Sequence, residues 1–202
     1  MTPSQIEERS VVPCSRRHAL ALLAAAALAG CSKTPEPTLY TLVPRPGAPV
    51  DRPVASIVVR PVVVAKYLDR PEIVRRPNPY EITVSEFVRW GEALDAMATR
   101  VLVADLALRL PTAELTVSSS PIAAPANTVV AIDIARFDPD PGGPAILEAR
   151  WAIRRGEHPG AVHFERITVA PTSSATIDLV AAMSDCLAQL SDRLAQALAA
   201  PG

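Results

Sequence analysis

Proline is the residue that most restricts how this chain can fold. The 202 residues contain 21 prolines and only 8 glycines. A proline fixes φ and has no N–H to donate, so it interrupts helices and is confined in sheets to edges and bulges. The sequence therefore predicts rigid turns, edge strands, an extended linker and few helices. Because 49% of the residues are hydrophobic, the chain has enough apolar material for one buried domain, but not comfortably for two.

The first thirty residues have the features of a targeting segment. Arg16 and Arg17 precede an apolar run over residues 19–29, which suits a signal-peptide core and is too short to span a bilayer. The run ends in a tetrapeptide that resembles the bacterial lipobox, whose cysteine thiol receives diacylglycerol: Leu28, Ala29, Gly30 and Cys31. We therefore expect residues 1–30 to be removed and the mature protein to be held on a membrane by lipid on Cys31.

The residues around the lipobox also bear on localisation. Ser32 stands where the inner-membrane retention signal of many Gram-negative bacteria has Asp. This favours the outer membrane, with the soluble domain facing the periplasm; inner-membrane anchoring is the alternative. Export by the Sec or the twin-arginine route is compatible with Ser15-Arg16-Arg17. Residues 31–53 are rich in proline and predict an extended tether, followed by a domain over residues 54–200.

Charge and cysteine content exclude some classes of protein. The formal net charge is -1 and the sequence pI is about 6.3, without the basic concentration that a nucleic-acid partner requires. Beyond the targeting segment and Cys31, Cys186 is the remaining cysteine. It lies in a helical pattern and is predicted to be a core residue, not a nucleophile.

Short β-branched and alternating segments predict the strands. Residues 54–64 predict a buried strand with a break at Arg60-Pro61, and residues 40–42 a short edge strand. Residues 72–75 and 80–84 predict a hairpin around Pro77-Asn78-Pro79. The segments 128–137, 145–154 and 161–169 predict an antiparallel meander, the middle strand having only one packed face.

Apolar spacing of three and four predicts two helices. The first begins at Glu86 or Phe87, with Ser85 as its N-cap, and ends before Pro111. The second follows residues 171–174 and closes the chain. The predicted fold class is α+β, with a mostly antiparallel sheet packed against two amphipathic helices.

Residues that could carry chemistry are sparse. His163 and Glu165 share one face of a strand, but two ligands do not make a metal site, and a solvated face is the better interpretation. Asp133, Asp138 and Asp140 lack the spacing of a calcium loop and predict a turn. The serines at 118–120 have no base nearby in sequence. We therefore expect no catalytic residue, no metal and no cofactor.

Two motifs resemble a known family. Residues 67–76, Tyr-Leu-Asp-Arg-Pro-Glu-Ile-Val-Arg-Arg, and residues 89–94, Arg-Trp-Gly-Glu-Ala-Leu, are similar to motifs of the ABC-type transport auxiliary lipoprotein family, which includes paraquat-inducible protein C. Weaker matches lie at residues 40–42, 137–138, 151 and 187–194. Ala93 departs from the proline expected in the second motif. The resemblance covers nearly the whole mature chain.

The resemblance implies an outer-membrane-anchored, non-catalytic partner of an MCE-domain protein in a system that moves phospholipids or other hydrophobic molecules between membranes. A homo-oligomeric ring is a further expectation. Within the motifs, the candidate partner-docking residues are Tyr67, Asp69, Arg70, Arg75, Arg76, Arg89 and Trp90. The alternative for these residues is purely structural: the aromatic and apolar side chains fill core while the charges cap turns. The alternative functions are an envelope-assembly or stress scaffold and, least favoured, a hydrolase or metal enzyme that uses His163 or Glu165.

Overall fold

The structure, a computed structural model, describes residues 35–50, 52, 56–122, 126–140 and 143–200. The expected signal peptide, the lipobox and Cys31 lie outside these ranges. Among the described residues, none of the helices combines the length and apolar character needed to cross a membrane. The described domain corresponds to one compact unit that begins at Pro37.

The described chain alternates short strands with two α-helices. The strands are β1 (Thr38–Tyr40), β2 (Ile57–Val59), β3 (Val63–Val64), β4 (Arg75–Asn78), β5 (Glu81–Thr83), β6 (Val88–Trp90), β7 (Leu115–Val117), β8 (Thr128–Pro139), β9 (Ala145–Arg155) and β10 (Val162–Val169). The helices are α1 (Leu94–Arg109), between β6 and β7, and α2 (Thr176–Ala199), which follows β10. The α+β class is confirmed.

The main sheet has the strand order β10-β9-β8-β2-β7, with β3 also pairing with β8. The predicted meander is confirmed, since β9 pairs antiparallel with both β8 and β10. The other part of the sheet is parallel, because β2 runs parallel to β8 and to β7. Within the strand predicted for residues 54–64, the described part forms β2 and β3 on either side of Arg60-Pro61, as predicted. The sheet is therefore mixed, with its longer strands antiparallel.

The core lies between one face of this sheet and the helices. Along β9, the predicted inward residues Leu147, Ala149, Trp151 and Ile153 are all buried. They face α2, whose Leu187, Leu190 and Leu194 are buried on the same side, and Cys186 is buried there too. Complete burial of one leucine side chain contributes about 1.5–3 kcal/mol, so this layer is a large part of the stability. Burial raises the pKa of the Cys186 thiol to about 12, as expected for an inert core cysteine.

A β-bulge in β8 determines which residues face the core after it. The register with β9 shifts between Ile134 and Arg136, so Ala135 is an extra residue in the strand. Without it, strict alternation would turn Phe137 to the outer face and Asp138 into the core. With it, Phe137 is 1% exposed within the core and Asp138 lies on the opposite face of the sheet. The bulge therefore makes the outer-face site described below geometrically available.

The start of the first helix was predicted wrongly. Helix α1 begins at Leu94 with Ala93 as its N-cap, and neither Ser85 nor Glu86 belongs to it. The segment before it becomes β6, which pairs in parallel with β1. The Trp90 N–H donates to the Pro71 carbonyl at 2.7 Å and the Gly91 N–H to the Tyr40 carbonyl at 2.8 Å. These tertiary hydrogen bonds outweigh the apolar spacing of three and four that predicts a helix over the same residues.

Two smaller elements shift along the chain. The predicted hairpin exists as β4 and β5, but its first strand is Arg75–Asn78, so Pro77 and Asn78 belong to a strand and not to the turn. The short strand predicted for residues 40–42 is β1, Thr38–Tyr40. In both cases pairing to a neighbouring strand decides the limits, which sequence periodicity over three or four residues cannot specify.

The proline-rich segment expected to be a tether lies on the domain over residues 41–50, here called the strap. Leu42 is 1% exposed and its N–H contacts Met97 Sδ at 3.1 Å. The Val43 N–H donates to Ser184 Oγ at 3.2 Å, and the Arg45 N–H to Asp105 Oδ1 at 2.7 Å. Both helices therefore hold the strap, whereas the sequence predicts an extended tether over these residues. The sequence pattern does not reveal these contacts, because the backbone N–H groups of Leu42, Val43 and Arg45 meet side-chain acceptors on distant helices.

A buried arginine joins the strap to both helices. Arg109, 1% exposed at the end of α1, pairs with Asp192 of α2 and donates to the Asp105 carbonyl at 3.0 Å, the Ala188 carbonyl at 3.1 Å and the Arg45 carbonyl at 3.2 Å. A charged side chain is stable when buried only if it is paired and hydrogen-bonded in this way. The strap is thus held through backbone groups as well as through Leu42.

Replacement of Gly47 by Ala is expected to displace the strap. A Cβ at this position would lie 2.3 Å from Arg109 Cζ, and the bonds of that guanidinium prevent it from moving aside freely. We expect a loss of about 1–3 kcal/mol in the free energy of unfolding, measured by urea denaturation. Gly91→Ala is the matched control, because its Cβ would make only an ordinary contact, 3.5 Å from the Tyr40 carbonyl oxygen. Equal stabilities of the two variants would contradict this account of the strap.

The buried carboxyl of Asp105 predicts a pH dependence. Burial is the largest cause that raises its pKa, against the opposing hydrogen bond from the Arg45 N–H and the charge of Arg109. The folded protein then holds this proton more tightly than the unfolded chain, where the pKa of Asp is about 3.9. Stability is therefore lost as pH rises from that value through the higher folded pKa.

We expect Asp105→Asn, which keeps an acceptor for Arg45, to gain stability relative to the unmodified protein as pH rises from 4 to 7. Unfolding titrations of both proteins across that range measure the difference, in which the contributions of the other acids cancel. Parallel stability curves would show that Asp105 does not titrate differently in the folded state.

Candidate partner-docking site

The site is organised by a buried carboxylate on the outer face of the sheet. Asp138, near the end of β8, is 0% exposed. Among the described residues it accepts hydrogen bonds from Tyr67 Oη at 2.6 Å, from Arg76 Nε and Nη2 at 3.2 and 3.3 Å, and from Arg136 Nε at 2.9 Å. A carboxylate has about four lone-pair positions, so these donors satisfy it. Asp138 therefore fixes the positions of the three side chains that donate to it.

Each donor reaches Asp138 from a different part of the chain. Tyr67 lies on a single 3₁₀ turn, Lys66–Leu68, which is fixed by the buried side chain of Leu68. Arg76 lies on β4, directly after the buried Ile73 and Val74. Its guanidinium also lies over the Tyr67 ring, 5.5 Å from the centroid. Burying the apolar residues of the motif thus directs its polar residues onto one acceptor.

The electrostatics of the cluster favour fixed protonation states. Burial, followed by the hydrogen bond to Asp138, raises the pKa of the Tyr67 hydroxyl well above its ordinary value. The hydrogen bond to Asp138 raises the pKa of Arg76. For Arg136, burial lowers the pKa, but the bonds to Asp140 and Asp138 outweigh it and the net shift is upward. Tyr67 stays neutral and both arginines stay charged, so the cluster holds its charges without exchanging protons near neutral pH.

A surface cleft of about 700 Å³ opens over this cluster, between the β4–β5 hairpin and the outer face of the sheet. Arg76, Arg136 and Arg166 line it together with Asp140 and Glu148. Arg166 pairs with Glu148 at 2.8 Å, and Arg136 pairs with Asp140. Pro77, Asn78 and Pro79 form the hairpin side. The cleft therefore presents both signs of charge, on side chains that are already held in position.

The structure brings together only part of the predicted docking set. Tyr67 and Arg76 meet on Asp138, whereas Arg75 donates to Thr176 Oγ1 at 2.9 Å, at the start of α2. Arg89 Nε donates to the Glu86 carbonyl at 2.8 Å. Trp90 is 5% exposed and lies in the core. The structural alternative therefore describes Trp90, and it is not available as a docking contact.

The remaining members of the predicted set make local pairs. Asp69 pairs with Lys66 at 2.9 Å, and Arg70 approaches Glu72 at 3.6 Å. Exposed pairs of this kind contribute little to stability. Asp69 and Arg70 are thus surface charges apart from the Asp138 cluster, and they belong to the site only as neighbours in sequence.

Arg136 and Asp138 are the members that sequence reasoning missed. The sequence predicts a turn around Asp138 and a weaker family match at residues 137–138, but it assigns no site role to Asp138 or Arg136. The signal was present, because the run Ile134, Ala135, Arg136, Phe137 breaks the alternation of β8. A bulge is the usual way to restore the core face after such a break.

The other candidates of the sequence do not gather into a site. His163 stacks on Trp151 with 4.1 Å between ring centroids, and Glu165 pairs with Arg193 of α2. Both lie on the sheet face that α2 partly covers, where His163 is still exposed and Glu165 is half-buried. Asp133 pairs with Arg150 on the outer face. Within the described ranges, no three or more His, Cys, Asp or Glu side chains are grouped closely enough to hold a metal ion.

Comparison with known proteins agrees with the fold and the motifs. The family model described as "ABC-type transport auxiliary lipoprotein component" matches residues 38–195. This chain belongs to that family, and the recognition made from its motifs is confirmed. Membership associates the chain with the cell envelope and with a transport complex. The comparison with curated proteins found no match.

Solved structures share the fold at low sequence identity. A crystal structure of an uncharacterised protein superposes with a TM-score of 0.70 at 16% identity, covering 81% of this chain and 99% of the other. Protein XCC0632 from Xanthomonas campestris gives a TM-score of 0.67 at 20% identity, covering 80% of this chain and 95% of the other. These likenesses show a common fold across nearly the whole described domain.

Removal of the Asp138 carboxylate is expected to destabilise the domain. In Asp138→Ala, Arg76 and Arg136 lose a shared buried acceptor, which costs about 3–5 kcal/mol. Tyr67→Phe removes one hydrogen bond to a charged group and should cost about 1.5–3 kcal/mol. Asp133→Ala is the control on the same strand and face; its exposed pair with Arg150 contributes at most about 1 kcal/mol. Urea unfolding of the three variants measures this order, and comparable losses for Asp133 and Asp138 would contradict it.

Proposed function

We propose that this protein is the lipid-anchored periplasmic subunit of an MCE-type system for intermembrane transport of lipids or other hydrophobic compounds. Its role is to dock or stabilise a partner protein, without catalysis. Lipid on Cys31 holds it at the outer membrane. The observation that carries the docking role is the convergence of Tyr67 and Arg76, both from the family motif, on Asp138 beneath an open surface cleft.

The chemistry of the cleft suits a protein partner better than the cargo. An acyl chain is bound where charged groups are few, because burying a charge beside it costs free energy. The cleft does not meet this requirement, because its lining is charged. The charged side chains are Arg76, Arg136, Arg166, Asp140 and Glu148. A polypeptide segment that carries both charges can pair with both, and directional arginine contacts are common at protein interfaces.

Preorganisation supports the same role. Arg76 is held by Asp138 and by its bond to the Pro79 carbonyl at 3.3 Å, and Arg136 by Asp138 and Asp140. Side chains fixed before binding lose less conformational entropy when a partner arrives. A charged cluster that exchanges no protons and is already hydrogen-bonded is a poor acid–base centre but a suitable rigid surface.

Photocrosslinking in cells tests the docking role. A photoreactive amino acid at Asn78, on the hairpin side of the cleft, is expected to capture an MCE-domain protein from the envelope, identified by mass spectrometry. Leu108, 49% exposed on α1, is the matched control position and should capture this partner weakly or not at all. Recovery of only envelope-assembly or cell-wall proteins at position 78, from a folded and abundant variant, would instead support the scaffold alternative.

A further inference from the structure

Exposed apolar side chains are concentrated on one stretch of chain and the strand beside it. The membrane rim, as we call this set, consists of Leu39, Tyr80, Ile82, Val84 and Phe87. Tyr80 is 98% exposed and Leu39 62%, and the other three are about two-fifths exposed. A solvated domain has no need to expose four large apolar side chains within eight residues, so this set points to an interaction surface.

The rim is two-sided. Neighbouring residues on an extended strand point to opposite sides, so in β5 Ile82 lies on one side while Glu81 and Thr83 lie on the other. This alternation suits a boundary between an apolar and an aqueous medium. Tyrosine is characteristic of membrane–water interfaces, where its ring is buried and its hydroxyl stays hydrated.

The Leu39 and Phe87 end of the membrane rim lies where the segment after Cys31 joins the domain. The Thr38 N–H donates to the Phe87 carbonyl at 2.8 Å, and the parallel β1–β6 pairing continues this contact, with Leu39 opposite Arg89. Seven residues of chain lead from Cys31 to Thr38, which fully extended span at most about 25 Å. Because the strap holds the chain from Leu42 onward against the helices, no further slack comes from residues 41–50.

We propose that Leu39 and the segment 80–87 form a membrane-contacting surface, which lies in the headgroup region of the bilayer that carries the lipid of Cys31. The bilayer at this surface is a zwitterionic one. Glu81 and Glu86 lie on the same segment and Arg89 lies opposite Leu39, so the surface carries no basic excess that would favour strongly anionic headgroups. Binding of the rim is therefore apolar in origin and insensitive to salt.

This orientation also places the candidate docking cleft. Arg76 of the cleft donates to the carbonyl of Pro79, the residue next to Tyr80 of the rim. Contact of the rim with lipid would thus hold the hairpin, which forms one wall of the cleft, beside the membrane surface. A partner that reaches the cleft would meet it close to the outer-membrane interface, where transported molecules enter or leave a bilayer. The inference rests on the proposed lipid anchor and adds an orientation to it.

Lipid quenching of site-specific fluorophores tests the surface. The full lipidated protein is purified from envelopes and placed in vesicles of phosphatidylethanolamine and phosphatidylcholine, with an environment-sensitive thiol fluorophore on Tyr80→Cys or Phe87→Cys. Cys186 is buried and does not compete for the label. Ile122→Cys, at a position 82% exposed in the loop after β7, is the control.

We expect a blue shift and quenching by brominated lipid at positions 80 and 87, unchanged by salt, and water-like emission at position 122. Water-like emission at all three positions would overturn the surface. A blue shift at positions 80 and 87 that grows with protein concentration and is not quenched by brominated lipid would also overturn it. That result would show that a second copy of the chain covers these residues. Mass spectrometry of the same samples reads the anchor separately: a Cys31 without diacylglycerol refutes the proposed anchor, whereas lipidated protein with unquenched labels refutes only the membrane rim.

Discussion

The outer face of this domain depends on one buried carboxylate. Asp138 holds a 3₁₀ turn, a hairpin strand and its own strand through hydrogen bonds from Tyr67, Arg76 and Arg136. Each donor alone would be a surface group with a small energetic contribution. Collected on one desolvated acceptor they become a rigid unit, because removal of the carboxylate takes a buried partner from both Arg76 and Arg136 at once. Within the family motif, Tyr67 and Arg76 are the two residues that assemble around this position.

The sheet makes that assembly possible through Ala135. One extra residue lets a single strand keep Phe137 in the core while it presents Asp138 on the opposite face. The inner layer is conventional, with the residues of β9 packed on the leucines of α2. The architecture thus separates two tasks: the helix-covered face supplies stability through apolar burial, and the outer face carries charge that is organised by a local irregularity.

Sequence reasoning succeeded where a period extends over many residues and failed where pairing with distant segments decides. The meander, the second helix, the break at Arg60-Pro61 and the core position of Cys186 follow from alternation, apolar spacing and proline chemistry. The beginning of α1 does not, because Trp90 and Gly91 donate to carbonyls that no local pattern identifies. In the candidate site, Tyr67 and Arg76 were identified through the motif. Asp138, the acceptor that both side chains share, lies 62 residues beyond Arg76. Trp90 belongs to β6, whose pairing with β1 replaces the predicted first turns of the helix.

The strap also has a mechanical consequence. A load applied to the chain ahead of Thr38 reaches the domain first through the few hydrogen bonds between β1 and β6, which can give way one after another. Beyond them the load meets Leu42 in the core and backbone bonds to Ser184, Asp105 and Arg109, which draw on both helices together. Beyond β1, tension is therefore shared between the two helices. A pull on the preceding chain would in this way be resisted by the packing of both helices and not by β1 alone.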